Sequence, residues 1–155
     1  MSVALGLLLW IPGASASGAG EGLGIGVALG SPIGLTVSPQ LTSALSLDLL
    51  AGEDFYRGWS SSQVMFSADL DVIVWEIARS NPVRAYLYVG GGVDAWVWGG
   101  RSVEMGAEIP VGVSVNLQKL PLQGYVEVVP EWVFVSYMGP QVGASFGARW
   151  WFELH

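Results

Sequence analysis

The chain has 155 residues, the length of a single domain, of which 52 % are hydrophobic and only 12 % charged. An ordinary soluble domain carries about 25 % charge, and disorder needs low hydrophobicity with high charge, so this chain folds and is poor in surface charge. A net charge of −7, no Cys and a single His at position 155 argue against a nucleic-acid face, exclude a disulfide framework or thiolate metal site, and leave no histidine base for a packed active site.

Residues 1–20 carry no charge, and Val3 to Ile11 form an apolar run followed by Ala14-Ser15-Ala16. That run has the length of a signal-peptide h-region, and the small-x-small triplet after it is what signal peptidase reads. The expected division is a signal peptide over 1–16 and a mature domain over 17–155, although no Lys or Arg follows Met1. The run is too short to cross a bilayer as a helix, which takes about 20 apolar residues.

The mature chain shows period two. Gly24, Gly26, Gly30, Pro32 and Gly34 interrupt the apolar stretch Leu23 to Val37, at a density that works against a helix. Eight strands are predicted, over 22–29, 33–38, 43–50, 63–74, 84–95, 103–116, 122–134 and 141–153. The connections carry turn chemistry: Gly30-Ser31-Pro32, Ser38-Pro39-Gln40, Ser80-Asn81-Pro82, Gln118 to Pro121 and Gly139-Pro140.

Alternation separates two faces. One is a row of Leu, Ile, Val, Ala, Met and aromatic residues, running from Leu23 and Ile25 to Trp150 and Phe152. The other holds Asp48, Asp69, Asp71, Arg84, Asp94, Glu104, Glu108, Glu127, Glu131 and Arg149, with Ser46, Ser67, Tyr86, Tyr88, Ser114, Asn116, Gln123, Tyr125, Gln141, Ser145 and many glycines. Within single strands the charged residues agree in phase: Asp69 with Asp71, Arg84 with Asp94, Glu104 with Glu108, Glu127 with Glu131.

A soluble barrel turns the apolar row inward, whereas a transmembrane barrel turns it outward. A soluble exterior wants about 25–35 % charged residues, and the polar row here is mostly Gly, Ser, Ala and Tyr, small enough for the narrow inside of an eight-stranded barrel. Aromatics also gather near strand ends: Trp96, Trp98, Trp132 and Phe134 towards one interface, and Trp75, Tyr86, Tyr125, Trp150, Trp151 and Phe152 towards the other. Two such girdles are what interfacial ring amphipathicity predicts. The expected fold is therefore all-β, an eight-stranded antiparallel up-and-down transmembrane β-barrel, with outer loops over 51–62, 96–102 and 135–140.

Gly24-Ile25-Gly26 through Gly30-Ser31-Pro32-Ile33-Gly34-Leu35, Ile109-Pro110-Val111-Gly112-Val113, Pro121-Leu122 with Val126-Glu127-Val128-Val129-Pro130, and Gly147-Ala148-Arg149-Trp150-Trp151-Phe152 resemble the small bacterial outer-membrane β-barrel proteins. Among these the chain is most similar to a largely uncharacterised, signal-bearing group with OmpA- and OmpX-like architecture. The resemblance spans Gly22 to Phe152. It implies a Gram-negative-type outer membrane and insertion by the barrel-assembly machinery, which reads a final strand ending in an aromatic; Phe146, Trp150 and Phe152 fit that pattern. It supplies no activity.

Chemistry has few candidates. Asp69 with Asp71, or Glu104 with Glu108, has the residue types of a general acid and base for glycoside hydrolysis, but buried charges need partners and a hydrogen-bonded structural plug is the stronger reading. A Ca²⁺ among the excess acids lacks EF-hand spacing. Some barrels of this architecture are lipid hydrolases or acyltransferases that activate Ser with His, and no usable His is present. Gly24-x-Gly26 and Gly90-Gly91-Gly92 precede no helix and no Lys, so they fail as phosphate loops. Arg57 and Arg101 fall in the outer loops, where they would meet lipopolysaccharide phosphates.

The expectation is thus a monomeric, non-enzymatic outer-membrane barrel without cofactor or metal, with a side-chain-filled polar lumen and a structural or surface-interaction role. Its partners would be the bilayer, lipopolysaccharide and the assembly machinery. The alternative is a secreted, soluble, lipocalin-like barrel holding an apolar ligand.

Overall fold

The computed structural model describes residues 22–53, 63–99, 102–136 and 138–153. The proposed signal peptide, Arg57, Arg101 and His155 lie outside them. Nine antiparallel strand segments follow in order: β1 (Gly22–Gly30), β2 (Ile33–Pro39), β3 (Leu45–Glu53), β4 (Gln63–Ser80), β5 (Val83–Trp98), β6 (Ser102–Glu108), β7 (Val111–Leu117), β8 (Leu122–Val135) and β9 (Gly139–Glu153). Sequence neighbours pair around the ring except β6 with β7, each of which pairs with β5 and β8, and β1 closes on β9 through nine partner pairs from Gly22↔Glu153 to Gly30↔Ser145. Closure leaves no sheet edge along the barrel wall.

The predicted strand 103–116 is two segments. β6 and β7 lie end to end, both between β5 and β8, so nine segments fill eight positions around the wall. The cause is Pro110, which has no N–H to give the ladder. The register does not slip: Gly92↔Glu108 and Val89↔Val111 stand three residues apart on both strands. Backbone bonds bridge the gap, from Gly90 N to Pro110 O at 2.7 Å and from Ile109 N to Pro130 O at 2.9 Å.

β4 continues to Ser80, six residues beyond the predicted end at Val74. Its pairing with β5 shifts between Ile73 and Trp75 and again between Glu76 and Ala78. Two such irregularities break the period of two while hydrogen bonding continues, so alternation fades where the strand does not. The outer loops also prove shorter than expected. β3 runs through Glu53, β5 through Trp98 and β8 through Val135, and β6 and β9 begin at Ser102 and Gly139.

The two faces separate as in a transmembrane barrel. Leu35 is 64 % exposed, Val142 72 % and Phe146 56 %, while Asp48, Asp69, Asp71, Asp94, Glu108, Glu131 and Arg149 are buried. Both chain ends of the described barrel, the Gln40–Ala44 connection, the Asn81–Pro82 turn and the Gln118–Pro121 turn lie at one rim. The Ser31–Pro32 turn and the β3–β4, β5–β6 and β8–β9 connections lie at the other.

Candidate functional site

The interior is the only place where the described residues concentrate chemistry. All ten predicted polar residues belong to it. Seven are buried, and Arg84, Glu104 and Glu127 are half-buried on the same inward face. They do not form one cluster. Arg84 sits opposite Asn116 near the terminal rim, eight residues along β5 from Gly92, or about 26 Å along the strand.

Arg149 is the centre of one group. Its Nη2 donates to Asp48 Oδ2 in a buried ion pair, its Nε reaches Thr36 Oγ1 at 3.4 Å, and its guanidinium lies 4.1 Å from the centroid of the Tyr125 ring. Ser38 Oγ donates to the other Asp48 oxygen at 3.0 Å. Beside this group Glu127 accepts from Tyr88 Oη and from Ser145 Oγ, both at 2.7 Å. Three of these five charged and aromatic side chains lie over glycines. A Cβ on Gly26 would meet the Arg149 stem and backbone, one on Gly112 the Tyr88 ring, and one on Gly147 the Tyr125 ring. The inward glycines are therefore the floor space of the lumen side chains.

A second group forms a row across the wall. Asp48 on β3 stands directly opposite Asp69 on β4, which stands opposite Gly92 on β5. Gly92 faces Glu108 on β6, which faces Glu131 on β8, and Glu131 faces Gln141 on β9. Four carboxylates thus share one row of cross-strand neighbours over six adjacent strands, a row that climbs around the tilted wall. Asp94 sits one step away and accepts from Trp96 Nε1 at 2.6 Å.

The filling of the lumen is partial. One cavity of about 310 Å³ is bounded by Asp48, Asp69, Glu108 and Glu127. A wider vestibule of about 690 Å³ opens towards the terminal rim past Asn116, Gln123 and Trp151. Asp71 and Arg149 border both spaces. Small inward residues leave this room, which composition alone did not reveal.

The aromatic girdle needs correction. Trp75, Trp132, Phe134, Trp150 and Phe152 are exposed on the outer surface, but Trp96 is 3 % exposed and points inward beside Asp94. Trp98 shares its parity and is half-buried, and Trp151 leans over Gly24, with ring carbons 3.2–3.3 Å from where a Cβ would stand. Tyr86 and Tyr125 are likewise interior. Nearness to a strand end suggested the girdle, while parity within the strand decides the face. The same parity would have found Thr36, Ser38 and Gln63, which are buried polar residues that the sequence reading did not single out.

The outward rings mark two levels. Leu122 stands opposite Trp150, and Trp132 lies ten residues farther along β8. Ten steps of about 3.3 Å at a tilt of about 40° place the two levels about 25 Å apart along the barrel axis.

Among the described residues no group of three or more acids or histidines converges for direct metal ligation, and no helix is long and apolar enough to cross a membrane. No protein-family model matches the sequence, and no curated protein matches it. Among solved structures, the chain is similar to the N-terminal β-barrel domain of Pseudomonas aeruginosa OprF, with a TM-score of 0.62 and 13 % identity over 86 % of this chain and 99 % of that one. The fold is that of an outer-membrane-type β-barrel domain.

Proposed function

We propose that this chain is an integral outer-membrane β-barrel protein with a structural or surface-interaction role and no enzymatic activity. The observation that carries the reading is the reversed distribution of polarity: acids and arginine within, large aliphatic and aromatic side chains without. In water that exterior would be a standing aggregation liability; in hydrocarbon it is the required surface, because closure satisfies every wall amide. The spacing of about 25 Å between the outward aromatic levels matches the apolar band of such barrels. The proposed signal peptide over 1–16 would supply export. The bilayer and the assembly machinery are then its partners, with lipopolysaccharide at the rim opposite the termini.

The interior is better suited to stabilising the wall than to turnover. Arg149, Asp48, Tyr125, Tyr88 and Glu127 tie β2, β3, β5, β8 and β9 together across the lumen. A lipocalin-like carrier would need an apolar interior, and carboxylates line this one.

Fractionation tests the proposal. Expressed with its N-terminal segment intact, the protein should partition with the outer membrane and show heat-modifiable gel mobility. A monomer that stays soluble without detergent refutes it.

A further inference from the structure

The vestibule at the terminal rim is lined by polar side chains that the protein itself leaves unused. Asn116 is 6 % exposed and Ser114 4 %, both border the 690 Å³ space, and neither side chain has a hydrogen-bond partner among the described residues. Buried amides and hydroxyls are ordinarily paired. The side chains of Ser46 on β3 and of Gln40, which bridges to it, border the same space and are likewise unpartnered among the described residues. None of these four groups is sealed within the wall; each keeps accessible surface for a partner in the vestibule. Trp151 on β9 supplies a third side. Three adjacent carbons of its six-membered ring, Cε2, Cζ2 and Cη2, stand 3.2–3.3 Å from where a Cβ of Gly24 would be. Near-equal distances to neighbouring ring atoms mean that the indole lies flat over the glycine, so its other face turns away from the wall, and the residue borders the vestibule.

We propose that the vestibule is a binding site for a neutral saccharide of one or two units, stacked on Trp151 and hydrogen-bonded by Asn116, Ser114 and Ser46. A sugar ring has an apolar C–H face and a rim of hydroxyls that each donate and accept. The flat indole matches the first. The amide and hydroxyl groups match the second, because Asn116 can donate to one hydroxyl and accept from its neighbour. Charge selects no ionic ligand: the ionisable residues of the lining are Asp71, Glu153, Lys119 and Arg149, two of each sign, and Arg149 is already paired with Asp48. The space has the size of a small-molecule site. A hexose unit displaces about six waters, or about 180 Å³ at about 30 Å³ each, so two units fit and leave room for bridging waters. The site is independent of the solvent outside the wall, so its success or failure is separate from that of the membrane reading.

The test uses the full chain, refolded in a zwitterionic detergent that carries no sugar headgroup. Cellobiose and di-N-acetylchitobiose are titrated in, and binding is read by saturation-transfer-difference nuclear magnetic resonance. Saturable binding of at least one of them is expected, with transfer strongest at the C–H protons of a single ring face. Trp151→Ala should weaken binding at least tenfold and Asn116→Ala at least threefold, both with heat-modifiable mobility retained; if Trp151→Ala does not fold, Asn116→Ala combined with Ser114→Ala should weaken it at least fivefold. Trp132→Phe, on the outer wall, should leave it unchanged. No saturable binding of either sugar overturns the proposal and assigns the vestibule to water alone. Undiminished binding in the folded variants, or an equal loss in Trp132→Phe, overturns it as well.

Discussion

Val126→Arg probes the orientation of the wall most directly. Val126 is 56 % exposed and pairs with Val113 on one side and Phe146 on the other. It lies four residues from Leu122 and six from Trp132, close to the midpoint between the two aromatic levels. If that face meets acyl chains, an arginine there should cost about 2–4 kcal/mol. If the face meets water, a surface Val→Arg exchange should fall within about 0.5 kcal/mol of neutral. Val135→Arg is the matched control, exposed on the same strand but about 20 Å from the midpoint along the axis; near the interface the same change should cost about 0–1 kcal/mol. Reversible urea unfolding in lipid vesicles, followed by tryptophan emission, reads both. With a slope of about 2 kcal/mol per M, Val126→Arg lowers the midpoint by about 1–2 M and Val135→Arg by less than about 0.5 M. Equal midpoints for the two variants, or a Val126→Arg midpoint at the wild-type value, would refute the lipid-facing assignment.

Three further outcomes are expected. Arg149→Gln should destabilise the barrel by about 3–5 kcal/mol because Asp48 is left charged and buried, and adding Asp48→Asn should recover part of that loss; chemical unfolding of the two variants checks it, and additivity of the single changes would deny the pair. Gly26→Ala should cost about 1–3 kcal/mol by overpacking, since its Cβ would lie 2.8 Å from the Arg149 Cα, whereas Gly91→Ala, with open space around it, should be neutral or slightly stabilising; thermal gel-shift midpoints distinguish them. In single-tryptophan variants, brominated lipids should quench Trp132, which is exposed on the outer wall, and spare Trp96, which donates to Asp94 inside; equal quenching would return Trp96 to the girdle.

Alternation carried most of the fold. Asp69 and Asp71 agree in phase, and so do Glu127 and Glu131, because a strand in a closed wall has only two sides and one of them excludes charge. The same rule explains the errors. Trp96 and Trp98 share the phase of Asp94, so the period of two already placed them inside, but their position near a strand end matched the expected girdle and outweighed it. β4 beyond Val74 was lost for a different reason: its register shifts destroy the period that reveals a strand, while Trp75 and Ile77 stay outward. Pro110 acts in the opposite sense, interrupting the hydrogen-bond ladder but leaving the phase of Met105, Ala107, Val111 and Val113 intact. One periodic run therefore folds as two segments in a single wall position.

Which residues stand opposite one another across the wall is a separate question, and a single strand does not contain the answer. Asp48 meets Asp69 only through a connection whose span of 54–62 bears no fixed turn geometry in the sequence. Glu108 meets Glu131 across β6 and β8, whose pairing shifts near Met105. Period two assigned these four acids to one face, but register made them neighbours in one cross-strand row. That second assignment changes their physics. Acids scattered along a lumen can each find a hydroxyl or an arginine, as Glu127 does with Tyr88 and Ser145. Acids opposed in register repel one another at fixed distance, and a rigid closed wall cannot relax them apart. A proton shared between neighbouring carboxyl groups, or an opposite charge such as the one Arg149 gives Asp48, is what such a row requires.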